Sequence, residues 1–229
     1  PLDVALAGRL VLHEWYRLAG RPFAGGLEEA AARFRERFEA SVGTHLRADV
    51  PVGSCLSGGL DSSSIVCAMN DLLRREGVQE RQHAFSSCSA IPRFDEREYV
   101  EEVVGHTGIE AHYVYPDLGQ LFDLLDRITW HQDEPFGSTS IFAQWSVFAL
   151  AADSGVKVML DGQGADEQLA GYQGYHGALY ASLFRRLRWL ELWREIRAAR
   201  QVHGHGPLWA MKYLADALLP AALRYPLRA

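Results

Sequence analysis

Lysine is nearly absent from this 229-residue chain: Lys157 and Lys212 are the only two, and arginine carries almost all of the positive charge. Acidic residues outweigh it, leaving a formal net charge of -6, which argues against a general nucleic-acid binder. Cysteine is also scarce. Cys55, Cys67 and Cys88 are too few and too scattered for a disulfide framework or a CxxC metal site. They read as buried, reduced thiols of a cytoplasmic protein. No stretch of about 18 uncharged apolar residues occurs, so no membrane span is expected. The N-terminus lacks the basic, apolar and small-residue order of a signal peptide. What the chain does have is 48% hydrophobic residues, enough for one sizeable core with a small appendage.

The most informative stretch is Val50 to Ala68. An apolar run ending at Leu56 leads into Ser57-Gly58-Gly59-Leu60-Asp61-Ser62-Ser63, and Ile65, Val66, Ala68 and Met69 follow at helical spacing. The pattern predicts a strand, a tight glycine turn and a helix N-terminus. Such a turn gathers unpaired backbone N–H groups, and the helix dipole adds partial positive charge, so phosphate is its natural guest. Gly58 and Gly59 permit positive φ and close approach of phosphate oxygens. Ser57, Ser62 and Ser63 supply hydroxyl donors, and Asp61 is suited to hold a magnesium ion. The loop has neither the Lys-Ser/Thr of a Walker A loop nor the three glycines of the dinucleotide fingerprint. It resembles the pyrophosphate loop of the N-type ATP pyrophosphatases.

Along the rest of the chain, strands and helices alternate. Residues 1–26 read as a connecting segment, and Leu27 to Arg47 as an amphipathic helix. His83 to Cys88, Glu110 to Tyr115 and Val156 to Leu160 read as strands, with helices opening near Asp95, Leu118 and Ser140. Trp130 to Gly137 reads as a loop. This order predicts an α/β fold with a mainly parallel sheet flanked by helices. From Gly177 to Ala229, arginines alternate with Leu, Trp and Ile in a helical extension. It is read as lining a substrate cleft or a missing partner segment rather than binding RNA. His106, His112, His203 and His205 show no ligand spacing with acids or cysteines and are read as ordinary histidines. A second glycine- and acid-rich loop, Asp161 to Glu167, follows the strand ending at Leu160. Ligands of such sheets bind beyond the carboxyl ends of the strands, so the two loops are expected to face one crevice.

Together, Asp49 to Ser63 and Leu160-Asp161-Gly162-Gln163-Gly164-Ala165-Asp166-Glu167, with Gly171-Tyr172, resemble the synthetase domain of the asparagine synthetase family. The resemblance covers roughly residues 27–180. It implies an adenine nucleotide α-hydrolase-like fold in a domain of residues 27–176. It also implies an ATP-dependent ligase that adenylates a carboxylate and lets ammonia or an amine attack the acyl-adenylate. By the same resemblance Ser57, Gly58, Gly59, Asp61, Ser62 and Ser63 would hold pyrophosphate. Asp61 and Asp166 would bind Mg2+, and Leu56, Ser87, Asp161 and Gly162 would contact adenosine. Asp61, Gln163, Asp166 and Glu167 are the candidate catalytic residues.

Three departures qualify this picture. Gln163 stands where asparagine synthetases proper carry Glu, and an amide cannot accept a proton as a carboxylate does. Glu167 and His131 are the alternative proton acceptors. Ser138-Thr139-Ser140 lacks the arginine that aspartate-using members tend to carry there. The chain also lacks the N-terminal cysteine glutaminase domain and much of the usual C-terminal region, so it reads as a fragment whose glutaminase domain lies elsewhere. The expected partner is a small carboxylate, with no nucleic acid and no membrane, and a homodimer is left open. Two rival readings stay in view: a cyclase resembling β-lactam synthetases or lasso-peptide cyclases, and a nucleotide-binding fragment without turnover.

Overall fold

The computed structural model describes residues 2–4, 10–17, 19–20, 23–78 and 82–219. Its centre is a four-stranded, all-parallel sheet built from β3 (Val52–Cys55), β4 (His83–Ser87), β5 (Glu110–Val114) and β6 (Val158–Leu160). The strands lie in the order β5-β4-β3-β6. The chain therefore steps outward from β3 through β4 to β5, then returns to lay β6 on the other side of β3. That reversal makes the β3/β6 boundary the switch point, where a crevice opens beyond the strand ends. Both glycine loops leave from this boundary.

Helices cover both faces. On one, Leu56, Val66, Ala84, Val100 and Ile109 form a buried cluster. Their side chains come from the strand ends and from α2 (Leu60–Arg75) and α3 (Arg97–Thr107). On the other, Phe85 packs with Val147, Ala151 and Val156 beneath α5 (Thr139–Asp153). Helix α5 is apolar nearly all round, the pattern of a helix covered on more than one side, and it packs on β4, β5 and α4 (Leu121–Gln132). It starts where Ser138 caps it, the Ser140 N–H donating to the Ser138 hydroxyl at 3.2 Å. Helix α3 stops at Gly108, whose φ of 71° makes the left-handed C-terminal turn. The Arg74 guanidinium then ties the end of α2 to the Thr107 carbonyl at 2.7 Å.

Around this unit, α1 (Leu27–His45) packs against α2, and α4 precedes α5. The expected α/β sheet is thus what the chain forms. Three local expectations change. Residues 1–26 contain an antiparallel pair, β1 (Leu2–Val4) with β2 (Leu10–Leu12); other parts of that segment lie outside the described residues. The loop expected from Trp130 begins only at Asp133, because α4 continues through Gln132 and ends on a residue with φ of 60°. The Asp161 to Glu167 loop closes into a short helix, α6 (Ala165–Leu169).

Beyond it, α7 (Gly174–Arg185), α8 (Trp189–His203) and α9 (Pro207–Leu218) bury Tyr180, Leu183, Leu192 and Ala210 in a cluster of their own. Residue 177, expected to begin a new region, lies inside α7, and a side chain there would meet the Tyr213 carbonyl at 2.8 Å. The expected extension through residues 220–229 lies outside the described residues.

Candidate functional site at the strand ends

The first loop is built by its own residues. Strand β3 ends where the Leu56 N–H donates to the Phe85 carbonyl at 2.9 Å, and the Leu56 carbonyl accepts from the Ser86 hydroxyl at 2.6 Å. Leu56 itself is buried. The chain then turns on a small lattice of serine bonds. The Ser57 N–H donates to the Ser62 hydroxyl at 3.2 Å, the two hydroxyls lie 3.0 Å apart, and the Gly59 N–H donates to the Ser57 hydroxyl at 3.2 Å. Ser62, buried, also donates to the Gly59 carbonyl. Ser57 and Ser62, expected as donors to a ligand, thus spend their hydroxyls on fixing the turn.

Gly58 has φ of 81°, and a Cβ there would sit 2.7 Å from the Tyr99 Cβ at the start of α3. Only glycine fits. Ser63 follows, half-buried, its N–H donating to the Gly59 carbonyl at 3.0 Å. The N–H groups of Leu60, Asp61 and Ser62 open α2, where helix geometry leaves the first N–H groups without intrahelical acceptors.

The second loop is held from outside. Its closest approach is at Gly162: a Cβ there would meet the Asp61 Cβ and the Ser62 backbone nitrogen, each at 3.1 Å. The two loops therefore touch, through the backbone of one and the catalytic candidate Asp61 of the other. Asp161 receives a long bond from the Gln144 side chain of α5 at 3.4 Å. It also lies beside the Cys55 thiol, which burial, reinforced by that carboxylate, pushes up to about 12. Gly164 takes φ of 90° to start α6, which carries Asp166 and Glu167 in its first turn. The Asp166 carboxylate lies over the Gly171 backbone. The Tyr172 hydroxyl donates to Glu167 at 3.0 Å, and this bond raises the Tyr172 phenol above its ordinary range. Gln163 is exposed.

Other expected residues stand apart. Ser87 is the exposed last residue of β4, on the side of β3 away from β6. His131 accompanies α4, its Nδ1 2.8 Å from the Arg127 carbonyl and its ring edge-on to Trp145. Two residues that the sequence did not single out serve the site: Tyr99, which walls the first loop at Gly58, and Gln144, which reaches Asp161. A lone amide in a mostly apolar helix was the sign of Gln144.

The donor set fits the groups the sequence implied. Among the described residues, neither Asp61, in the first turn of α2, nor Asp166, in the first turn of α6, forms an ion pair. Hard oxygen ligands of this kind suit Mg2+, and a nest of N–H groups at a helix start suits phosphate.

The asparagine synthase family model matches residues 33–228. A putative glutamine-hydrolyzing asparagine synthetase 2 of Methanocaldococcus jannaschii is 34% identical over 147 residues, 64% of this chain and 27% of that protein. Asparagine synthetase B of Escherichia coli is 29% identical over 204 residues, 83% of this chain and 37% of that protein. Amidase chyE of Penicillium rubens is 29% identical over 162 residues, 66% of this chain and 24% of that protein. The chain thus spans between 24% and 37% of the length of these relatives. With a match that runs from within α1 past α9 and takes in both loops, the chain belongs to the asparagine synthase family.

Proposed function

We propose that this chain carries the ATP-dependent, amide-forming chemistry of a ligase: adenylation of a carboxylate with release of pyrophosphate, then attack by ammonia or an amine to give an amide and AMP. The observation that carries the reading is the contact of Gly162 with Asp61 and Ser62 across the β3/β6 switch point. It joins the two glycine- and acid-rich loops that lie within the span matched by the asparagine synthase family model. Relatives named as glutamine-hydrolyzing support ammonia drawn from glutamine as the nitrogen source, through a glutaminase partner.

Adenylation needs little covalent help from the protein. It needs a carboxylate oxygen held in line with the α-phosphorus and the phosphate charge neutralised. In this reading the N–H groups opening α2 take the leaving pyrophosphate, while Asp61 and Asp166 hold Mg2+. When bound, that ion would offset phosphate charge. Leu56, Asp161 and Gly162 would border the adenosine, with Ser87 at the far rim. In the second step the nitrogen must lose a proton. Gln163 is able to orient the nucleophile by hydrogen bonding but not to take that proton, and Glu167, held by Tyr172, is the carboxylate candidate.

The substrate carboxylate is proposed to be other than aspartate. The α5 start, Ser138-Thr139-Ser140, offers hydroxyls and no guanidinium for a second carboxylate, and the Ser138 and Ser140 hydroxyls already bond each other at 2.7 Å. That same feature favours a second reading, an intramolecular amide former whose nucleophile belongs to the substrate.

Calorimetry of ATP binding with Mg2+, on the wild type and Asp61→Asn, tests the site. The expected result is magnesium-dependent binding that weakens at least about tenfold in the variant, ~1.4 kcal/mol. AMP release across a panel of carboxylates then tests turnover. Equal binding by both proteins would refute the assignment of Asp61.

A further inference from the structure

The opposite end of the same sheet carries a second cluster of ligand-type side chains. His83 opens β4, Glu110 opens β5, and His112 stands two residues further along β5. The parallel register sets His83 beside Glu110 and Phe85 beside His112. Alternate residues of a strand share a face, so all three polar side chains project to one side of the sheet. It is the side of Phe85, whose ring stacks on the His112 imidazole with centroids 4.7 Å apart. Phe85 is fully buried beneath α5, so the stack fixes His112 against a rigid wall.

The distances are those of ligands around an ion. His83 Nδ1 lies 2.9 Å from His112 Nε2, and His112 Nε2 lies 3.6 Å from Glu110 Oε1. One ligand atom from each residue lies within 4.8 Å of the other two. A tetrahedral zinc ion with bonds of about 2.0–2.1 Å keeps neighbouring ligand atoms roughly 3.3 Å apart. The two closer separations fall on either side of that value and the third stays below 4.8 Å, so an ion is accommodated by small side-chain rotations. A carboxylate facing two imidazoles also gives the cluster the charge that a divalent cation neutralises.

We propose that His83, Glu110 and His112 form a binding site for a divalent transition-metal ion of the zinc class, with water in the remaining position. Two imidazoles and one carboxylate select Zn2+ and its transition-metal neighbours over Mg2+, which prefers oxygen alone. The ion would cross-link β5, an edge strand, to the interior strand β4. It would sit roughly 13 Å along β4 from the phosphate end, four residues at about 3.3 Å each. One sheet would then hold a nitrogen-rich cation site at its amino end and an all-oxygen site at its carboxyl end. This inference stands independently of the proposed ligase activity.

The test is a titration of the chelator-stripped chain with Zn2+ against a chromophoric chelator, in excess Mg2+. One equivalent is expected to bind, undisplaced by Mg2+, with a rise in melting temperature. His112→Ala and Glu110→Gln should each weaken binding at least about tenfold, and Asp61→Asn should bind as the wild type does. Failure of the folded wild type to bind an equivalent overturns the proposal. So does undiminished binding by a folded His83→Ala/His112→Ala protein, or loss of the ion in Asp61→Asn alone. A second measurement avoids variants altogether: modification by diethyl pyrocarbonate, read peptide by peptide on the wild type. Zinc should protect His83 and His112; equal labelling of both with and without zinc overturns the site.

Discussion

The two loops at the switch point do the same topological job by opposite means. The loop after β3 is held by bonds among its own serines, Ser57 to Ser62, with a glycine forced by its φ and by Tyr99 of α3, so most of its shape is stored in consecutive residues. The loop after β6 is propped by neighbours: Gln144 under Asp161, Tyr172 against Glu167, and the Asp61 backbone against Gly162. A self-held loop is preorganised before any ligand arrives, which suits the pyrophosphate site proposed for it. A propped loop takes its shape from elements outside itself, so a change in any one prop is felt in the loop.

Breaking the first loop should have the largest effect. Gly58→Ala must carry a side chain at φ of 81° and push it to 2.7 Å from the Tyr99 Cβ. The conformational cost alone is about 2 kcal/mol, before the clash. In a chain of this size that lowers the melting temperature by roughly 5 °C or more, and ATP binding should disappear with it. Thermal melting and calorimetry read both. A Gly58→Ala protein that melts and binds like the wild type would remove the idea of a locally stored loop.

Parting the two loops should cost less. Gly162 needs no left-handed backbone, and its added Cβ would lie 3.1 Å from Asp61 and Ser62, an overlap relieved by a shift of a few tenths of an ångström. Gly162→Ala should therefore fold with a stability change below about 1 kcal/mol. Yet it should weaken magnesium-dependent ATP binding on the order of tenfold, because a displaced Asp61 misplaces its charge. Binding loss without stability loss would separate the role of the contact from that of the loop's own bonds. Unchanged binding would show that the two loops work apart.

This contrast also explains what could be read in advance. The Ser57 to Ser63 turn was legible because glycine, serine and aspartate at fixed short spacing encode it, with strand and helix signals on either side. The alternation of strands and helices likewise gave the parallel sheet, since periodicities of 2 and 3.6 are local properties. The supports of the second loop were not legible. Gln144 lies 17 positions from Asp161, and nothing in a single sequence announces that pairing. The hairpin of β1 and β2 was missed because its three-residue strands lie in a stretch of mixed composition, without the flanking glycine- and acid-rich loop that marks β6. The histidine cluster was missed for the same physical reason as Gln144. Glu110 and His112 are close in sequence, but His83 reaches them only through the parallel register, which tertiary packing sets.

The smallest expected effect asks how firmly the second loop leans on the first strand. The Cys55 thiol, at the end of β3, is pushed from 9.0 up to about 12, first by burial and then by the Asp161 carboxylate. The sign follows from the charged form. A thiolate beside a carboxylate is repelled, so the folded chain favours the neutral thiol more than the unfolded chain does. Stability from this group is complete below the ordinary thiol value and is lost as pH rises from about 9 towards 12. Asp161→Asn removes the repulsion but leaves the burial. The thiol should therefore shift down only part of the way, and its alkylation by iodoacetamide at pH 9 should speed up by less than about tenfold, since burial is the larger cause. Mass spectrometry of the peptide carrying Cys55 measures the rate, with the more distant Cys67 as internal standard. A modest acceleration at Cys55 alone would show that Asp161 rests on β3 in solution. No change would mean that the second loop stands away from the strand, and that its contact with the first runs through Gly162 only.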